Sequence, residues 1–323
     1  MILTVTLNAA LDATWSVDSL RPRTSHRVDD AQERAGGKGI NVARVLGVLG
    51  HDPVATGLVG GTTGRRILDE LHDARIRSEF VEVAGESRRT VAVVSRDDGD
   101  ATVFNGRGPS VTPAEWQLFH RRYAALAATA RVVVLSGSAP PGLPADAYAQ
   151  LVRTAAAADA LTVLDTSGPE LLRALEARPD VVKPNAEEIA AATGQTDPVR
   201  AAAALCSLGA RTVVASAGAD GLHAVTQEGT WRAVPPERLA GNPTGAGDAC
   251  VAAIAAGLDA GSAWPDILRT AVALSAAAVP CPVAGEVDTA VFRRLLPRVV
   301  VEAVPPAPEG RLLPAPPDML NSD

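Results

Sequence analysis

The chain of 323 residues carries 30 basic and 37 acidic side chains, so its net charge is −7. Hydrophobic residues make up 47% and charged residues 21%, which is typical of a globular protein and suits one large domain or two smaller ones. The acidic balance argues against a general binder of nucleic acids or anionic membranes, and the N-terminal residues lack the basic segment of a secretion signal.

Short apolar runs alternate with longer amphipathic segments along the chain, which predicts strands that alternate with helices. The predicted single strands are Ile2–Leu7, Val54–Leu58, Arg131–Ser136, Leu161–Asp165, Val181–Lys183 and Arg211–Ala215. Hairpins are predicted at Arg89–Arg96 with Ala101–Asn105 and at Leu222–Thr226 with Thr230–Val234. The predicted helices are Gly39–Leu49, Gly64–Asp73, Pro113–Ala128, Ala145–Ala158, Glu170–Glu176, Ala186–Ala192, Val199–Leu208, Gly247–Leu258, Trp264–Val279 and Thr289–Leu296.

This alternation predicts an α/β fold with a central, mostly parallel sheet and helices on both faces. Two stretches, at about residues 13–35 and 88–106, interrupt the alternation and predict exposed strands that form a small second layer. Residues 304–323 are rich in proline, which predicts a disordered tail after a single domain over residues 1–303. The alanine-rich run at 249–257 is too short to span a bilayer.

The three cysteines, Cys206, Cys250 and Cys281, lie far apart and show no CxxC spacing. The five histidines form no H-x-x-x-H pair. This pattern predicts isolated thiols rather than a disulfide framework or a zinc site, and it favours a reducing, cytoplasmic compartment.

The basic residues are 28 arginines and only two lysines, Lys38 and Lys183. A GC-rich genome explains the arginines, but a lysine that survives such a bias marks a position where a compact ammonium is needed. Lys38 lies in AGGKGINVARVL, where glycines let backbone amides approach a polar ligand. The spacing of this segment is not that of a P-loop. Lys183 precedes a pair of carboxylates in VVKPNAEE.

The most informative motif is GNPTGAGD at 241–248, immediately before an alanine-rich helix. Glycines at 245 and 247 leave free amides at a helix N-terminus, which is an anion site. Asp248 beside it can accept a hydroxyl proton during phosphoryl transfer. The alternative is a simple N-cap carboxylate, but such a cap needs no Gly-Ala-Gly before it.

Asn185 and Glu188 are three residues apart at the start of a helix and therefore share a face. Two interpretations stay open for this pair. Their oxygen atoms suit a water-rich Mg²⁺ shell, with Lys183 on a nucleotide phosphate. The same spacing is also that of a capping box, with Asn185 as the cap and Glu188 at N3.

With these motifs together, the chain resembles the ribokinase-like carbohydrate kinases, in the branch of 1-phosphofructokinase and tagatose-6-phosphate kinase. The resemblance runs over about residues 1–300. It rests on TLNAALD (6–12), AGGKGINVARVLGVLG (35–50), SRRT (87–90), FNGRGP (104–109), LSGSAPPG (135–142), DTSG (165–168), VKPNAEE (182–188), SAGADG (216–221) and GNPTGAGDA (241–249).

The resemblance implies an ATP-dependent, Mg²⁺-assisted kinase for a ketohexose phosphate, most simply the 6-hydroxyl of fructose 1-phosphate. It implies Asp248 as the base, with amides of Gly245, Ala246 and Gly247 as the anion hole. The sugar hydroxyls are assigned to Asp12, Gly37 and Asn41, and the substrate phosphate to Lys38, Arg88, Arg27 and Ser138. The nucleotide and metal side is assigned to Lys183, Asn185, Glu188, Ser216, Gly218 and Gly221. The exposed strands become a lid that doubles as a homodimer contact.

Four departures from the family pattern fall on the lid or sugar side. Ala9 stands where proline is usual, Thr90 and His26 where asparagine is usual, and Asn105-Gly-Arg-Gly-Pro109 where Asn-Glu-Pro-Gly-Pro is usual. They leave tagatose 6-phosphate, or another phosphorylated polyol, open as the substrate. A non-catalytic sensor of sugar phosphates is the alternative of another class, although a sensor needs neither a base nor a metal pair.

Overall fold

The structure is a computed structural model that describes residues 1–28, 31–97 and 101–305. Its strands are β1 (Ile2–Thr6), β2 (Ala10–Val17), β3 (Ala31–Gly36), β4 (Val54–Gly60), β5 (Arg77–Val83), β6 (Arg88–Ser95), β7 (Ala101–Asn105), β8 (Val132–Ser136), β9 (Leu161–Asp165), β10 (Val181–Val182), β11 (Thr212–Ser216), β12 (Leu222–Thr226), β13 (Gly229–Val234) and β14 (Val300–Val304). Its helices are α1 (Lys38–Val48), α2 (Gly61–Asp73), α3 (Pro113–Ala127), α4 (Ala147–Ala157), α5 (Gly168–Leu175), α6 (Ala186–Thr193), α7 (Pro198–Ser207), α8 (Ala246–Ala260), α9 (Trp264–Ala278) and α10 (Thr289–Leu295).

The large sheet has the strand order β14-β13-β12-β11-β10-β9-β8-β1-β4-β5. The strands from β11 to β5 in this order run parallel, whereas β12, β13 and β14 join antiparallel at one edge. The predicted α/β fold with a mostly parallel central sheet is therefore confirmed. The chain leaves β1 towards β4 on one side and reaches β8 on the other, and such a change of direction opens a crevice at the carboxyl ends of parallel strands.

Helices cover both faces of this sheet because its central strands are apolar on both sides. In β8, Val133 and Leu135 belong to one core and Val132 and Val134 belong to the other. The first core is closed by α3 to α7, and the second is closed mainly by α1, α8 and α9. The alternation of side chains along each strand thus builds two hydrophobic layers from one run of valines and leucines.

The small second sheet has the order β3-β2-β6-β7, with β2 parallel to β6 and the other pairs antiparallel. It confirms the small strand layer, but its strands begin at Ala10 rather than near residue 13. Leu11 and Ala35 pack against Ile67 and Leu71 of α2, and this apolar contact fixes the near end of the sheet. All of β7 is exposed. The turn predicted around residues 97–100 lies mostly outside the described residues.

Two strands, β5 and β14, are missing from the sequence prediction. Both are edge strands of the large sheet, and both interleave charged with apolar residues, as in RSEFVEV and VVEAV. Because Val304 belongs to β14, the predicted start of the tail falls inside a strand, while residues 306–323 lie outside the described part. Within the described part, no helix is long and apolar enough to cross a membrane, and all three cysteines are unpaired.

Candidate active site

A cleft of about 1080 Å³ opens where the parallel strands end. Asp165 closes β9, Lys183 follows β10 and Ser216 closes β11, so these three side chains enter the cleft from adjacent strands. The N-terminal turns of α1 and α8 supply Lys38 and Asp248. The topology therefore gathers residues that are far apart in sequence at one edge of the sheet.

The N-terminus of α8 is shaped by glycine. Gly245 is the N-cap residue with a φ of 93°, and a Cβ there would lie 2.9 Å from the Cα of Ala284, so the position requires glycine. Asp248 is the third helical residue, and its side chain makes no cap, so the N-cap interpretation is wrong. The amide of Ala246 donates to the carbonyl of Pro243 at 3.1 Å.

This last hydrogen bond corrects one part of the expected anion hole. The Ala246 amide is engaged, whereas the amides of Gly245 and Gly247 have no partner within the described part of the chain. A Cβ on Gly247 would lie 3.7 Å from the Lys183 ammonium, so Gly247 lies beside the cationic part of the cleft. An anion site at this helix end would therefore use Gly245 and Gly247.

Asp248 is buried, and Asn41 of α1 donates to its Oδ2 at 2.8 Å. Burial, followed by the nearby Asp165 carboxylate, raises the pKa of Asp248 to about 7. The Asn41 hydrogen bond and the ammonium groups of Lys38 and Lys183 oppose this rise. A carboxylate with its pKa near neutrality is a much better proton acceptor than an ordinary aspartate.

Asp165 is the centre of the charged network, and the sequence prediction assigned it no role. It is fully buried; Lys38 Nζ lies 3.3 Å from both its oxygens, Lys183 Nζ lies 3.4 Å from Oδ1, and Ser136 donates to Oδ2 at 3.0 Å. Burial alone would raise the pKa of Asp165, but the Lys183 and Lys38 ammonium groups hold it below its usual value. For Lys183, burial would lower the pKa, but Asp165 outweighs burial and raises it.

The two lysines therefore meet at one carboxylate. The sequence interpretation placed them on opposite sides of the site, Lys38 towards the sugar and Lys183 towards the nucleotide. In the structure, Lys38 is 41% exposed in its side chain and Lys183 only 4%. Lys38 can thus leave part of its charge for a ligand in the cleft, while the Lys183 charge is committed largely to Asp165.

The expected sugar side also lies in the cleft, around Asp12 of β2. A Cβ on Gly36 would fall 1.8 Å from an Asp12 carboxylate oxygen, so the glycine backbone makes room for this carboxylate. Burial raises the pKa of Asp12, while a hydrogen bond from Thr90 and the Arg88 charge oppose the rise. Arg88 donates to the Asn8 carbonyl at 3.0 Å and to the Thr90 hydroxyl at 3.3 Å.

The loop of α1 contributes the remaining expected sugar contacts. Gly37, with a φ of 108°, and Asn41 both line the cleft. Two expected contacts, Arg27 and Ser138, are not among its described lining residues. Arg27 is exposed in the segment between β2 and β3, and the Ser138 hydroxyl instead accepts a hydrogen bond from Asn8 Nδ2 at 3.3 Å. Neither has the position of a phosphate ligand in this conformation.

The expected nucleotide side is formed by the starts of α6 and of the turn after β11. Ser216, Gly218 and Gly221 line the cleft there. Gly221 has a φ of 94°, and a Cβ would fall 2.0 Å from the Ala233 carbonyl, so only glycine keeps the turn closed against β13. The Ser216 amide donates to the Pro184 carbonyl at 3.0 Å, which joins this turn to the start of α6.

Asn185 and Glu188 form the capping box that their spacing allows. Asn185 Oδ1 accepts from the Glu188 amide at 2.8 Å, and Glu188 Oε2 accepts from the Asn185 amide at 2.9 Å. Glu188 keeps its second carboxylate oxygen and lines the cleft. No group of three His, Cys, Asp or Glu ligands occurs among the described residues. This donor set fits a Mg²⁺ ion that keeps most of its waters and takes one carboxylate from the protein.

The crevice of this α/β fold holds a buried carboxylate of raised pKa beside free amides and two ammonium groups. This combination is typical of enzymes that transfer a phosphoryl group. The model of the pfkB family of carbohydrate kinases matches residues 5–289. The chain belongs to this family, so it is a kinase that transfers phosphate from ATP to an alcohol group of a sugar substrate.

Solved structures agree with this assignment. Phosphofructokinase-2 of Escherichia coli is 28% identical, with a TM-score of 0.86, over 92% of this chain and 98% of that one. A Thermotoga maritima protein named as a possible 1-phosphofructokinase is 29% identical, with a TM-score of 0.84, over 94% and 99%. The E. coli enzyme is described as tetrameric in an inhibited form.

Proposed function

We propose that this kinase phosphorylates a ketohexose phosphate, and that its best substrate is fructose 1-phosphate, which gives fructose 1,6-bisphosphate. The observation that carries the proposal is the placing of Asp248 and the α8 amides in one cleft with Lys38 and Arg88. The first pair suits transfer of a phosphoryl group, and the second suits a phosphate that the acceptor already carries.

In the proposed reaction, Asp248 removes the proton from the sugar hydroxyl as its oxygen bonds to the γ-phosphorus of ATP. The bond from that phosphorus to the bridging oxygen breaks, and ADP leaves with the electron pair. The amides of Gly245 and Gly247 stabilise the negative charge that moves across the transferring group. Asn41 holds Asp248 in place through the 2.8 Å hydrogen bond.

The sugar is held by Asp12, Gly37 and Asn41, and its phosphate by Lys38 and Arg88. Lys183, Ser216, Gly218 and Gly221 line the nucleotide, and Asn185 and Glu188 would hold a hydrated Mg²⁺ ion. The Mg²⁺ ion would neutralise phosphate charge during transfer. Arg27 would join the substrate phosphate only if the small sheet moves towards the cleft. Ser138, which follows β8 of the large sheet, would join it only by exchanging its hydrogen bond with Asn8.

The small sheet acts as a lid over the sugar side. Thr90 and Val103 of this sheet already line the cleft, so a modest movement would exclude water from the transferring group. The sheet ends in β3 and β7, and β7 carries Val103 and Phe104 at 51% and 58% exposure. A second copy that covers this edge would make a homodimer through the lid strands.

The substrate is tested by following ADP formation with Mg²⁺ and ATP over a panel of acceptors. The panel contains fructose 1-phosphate, fructose 6-phosphate, tagatose 6-phosphate, free fructose, ribose and adenosine, and the position of the new phosphate is read by NMR. We expect the highest kcat/KM with fructose 1-phosphate and a product phosphorylated at both ends. The Asp248→Asn variant controls for contaminating ATPase.

The panel also separates the alternatives. Fructose 6-phosphate is the second candidate because the E. coli neighbour has been crystallised with it. A preference for tagatose 6-phosphate would move the proposal within the class of phosphorylated ketohexoses. Activity restricted to unphosphorylated sugars or nucleosides would overturn it, and tight binding of sugar phosphates without turnover would favour a sensor.

A further inference from the structure

A second cavity, which we call the arginine cavity, lies outside the cleft. It has a volume of about 590 Å³ and is bounded by the C-terminal half of α1, the loops before β4 and β5, and the segment 281–287. None of its described lining residues also lines the cleft. Its basic lining consists of Arg34, Arg44, Arg75, Arg77 and His51.

The positive charge of the arginine cavity is only partly balanced. Arg34 pairs with Glu286 at 2.9 Å, and Arg77 pairs with Asp52 at 2.9 Å. Arg75 is exposed and lines the cavity, and it has no carboxylate within 4.0 Å among the described residues. Arg44 is paired as well, with Glu70, so the excess positive charge comes mainly from Arg75. In a protein of net charge −7, such a local excess attracts anions to this cavity.

Arg44 is the buried member of the group, with a side chain only 7% exposed. Its guanidinium contacts Glu70 and donates to the Ala35 carbonyl at 3.2 Å, but its Nε has no partner within the described part of the chain. Burial, followed by the charge of Arg34, lowers the pKa of Arg44. A buried guanidinium that has one N–H group without an acceptor and feels the charge of a second guanidinium is stabilised by additional negative charge.

We propose that the arginine cavity binds a small phosphorylated anion. Planar guanidinium groups recognise phosphate through paired, charge-assisted hydrogen bonds, and several converge here from separate elements. The cavity has the size of ordinary small-ligand sites. Arg75 and Arg77 form its accessible side, while Arg34 and Arg44 form its inner wall.

The wall of the arginine cavity also touches the catalytic elements. Gly285 lines the cavity, and a Cβ on it would lie 3.0 Å from Arg44 Cδ and 3.2 Å from Asn41 Cα. The adjoining Ala284 lines the cleft and lies against Gly245. An anion that competes with Glu286 for Arg34 therefore acts on the segment that supports Asn41 and the start of α8.

The test uses pyrophosphate as the probe and a Lys38→Gln/Arg88→Gln background, which removes the two acceptor-phosphate side chains from the cleft. The α8 amides and Lys183 stay in the cleft and are the same in every protein compared. Binding is measured by calorimetry without divalent cations at about 150 mM KCl, where diffuse surface attraction is screened. Into this background we add Arg75→Gln/Arg77→Gln in one protein and, as a control with the same charge change, Arg121→Gln/Arg293→Gln in another. Both control arginines are exposed and lie outside the cavity.

We expect the background protein to bind pyrophosphate. The cavity pair should weaken this binding at least about tenfold, because two charge-assisted contacts are lost. The control pair should change it less than about twofold. The Arg77→Gln single variant removes an exposed side chain, and it should give a smaller loss with an unchanged melting temperature.

Two results would overturn the proposal. One is a background protein that does not bind pyrophosphate, since the cleft would then be the sole anion site. The other is an affinity that changes by the same factor, or not at all, with the cavity pair and the control pair. Pyrophosphate would then be bound in the cleft or attracted by overall charge alone.

Discussion

The hydrogen bond from Asn41 to Asp248 makes a quantitative prediction about pH. A base must be ionised to accept a proton, so kcat/KM should rise with pH as Asp248 loses its own proton. With a pKa of about 7, Asp248 is mostly protonated at pH 6 and mostly ionised at pH 8. Wild-type kcat/KM should therefore rise about tenfold between these two pH values.

Replacing Asn41 with leucine, which has nearly the same shape, removes the donor that stabilises the ionised form of Asp248. A hydrogen bond to a charged group contributes about 1.5–3 kcal/mol, and one pKa unit corresponds to about 1.36 kcal/mol. The pKa of Asp248 should therefore rise by about one to two units in Asn41→Leu. The acidic limb of the pH profile should move to higher pH by the same amount.

The assay measures kcat/KM for the best sugar phosphate from about pH 5.5 to 9.5 at constant ionic strength. Asn41→Leu will also lower sugar affinity, but this changes the height of the profile and not the position of its limb. The control is Asn105→Leu, since Asn105 lines the cleft and, among the residues that the structure describes, makes no hydrogen bond to Asp248. The phosphate of the substrate ionises near pH 6 and does so identically for every variant.

The reasoning is refuted if the limb of Asn41→Leu stays within about half a unit of wild type, or if it moves to lower pH. Either result would mean that Asp248 does not control the limb. A shift of equal size in Asn105→Leu would mean that any loss of an amide from the cleft lining moves the limb, and the Asn41 hydrogen bond would then carry no special role.

Three further predictions concern the same cleft. Asp248→Asn should lower kcat by about 10²–10⁴. Burial raises the pKa of the Asp248 carboxyl, so the wild-type protein loses folding stability as pH rises towards 7. The Asn variant has no such group to ionise, and it should therefore melt at a higher temperature than wild type at pH 8. Asp165→Asn leaves the buried Lys183 ammonium unpaired, and it should lower the free energy of unfolding, measured in urea, by about 3–5 kcal/mol. The double variant Asp165→Asn/Lys183→Met should recover much of that loss. Equal losses in the two variants would show that Asp165 and Lys183 are not coupled. Thr90→Val should raise the sugar-phosphate KM about five- to tenfold with kcat nearly kept, and Thr90→Ser should restore it; a fall in kcat alone would contradict a role in binding.

The large sheet is predictable because its central strands are short, continuous apolar runs, and such runs are typical of strands that are buried on both faces. The strand β8, with the sequence VVVLS, is buried at every position and is found from the sequence alone. The strands β5 and β14 fail the same test because charged residues such as Glu79 and Glu302 interrupt them. At the edge of a sheet such residues face solvent without cost, so the apolar signal is weakest where only one side of the strand is covered.

The site divides in the same way. Asp248 is predicted from a local motif whose residue types suit phosphoryl transfer, whereas Asn41 is predicted only from the family resemblance, as a sugar contact. The role of Asp165 is not predicted because its partner Lys38 lies 127 residues away, and no local spacing in the sequence indicates their contact. One signal was present: an aspartate at the end of a buried strand needs a partner, and Lys183 ends the next strand of the sheet.

Asp165 also explains how the cleft can hold two ammonium groups and still contain a base. Positive charge near Asp248 favours its ionised form and lowers its pKa, and two free lysines would make it a poor proton acceptor at neutral pH. Asp165 balances part of that charge and adds a negative field of its own, and both effects raise the pKa of Asp248. The two lysines that stand out in an arginine-rich chain are thus held by a carboxylate, and their compact ammonium groups let both approach it. Asp165 is therefore a positioning residue: it leaves the more exposed Lys38 available for a phosphate and does not remove the basicity of Asp248.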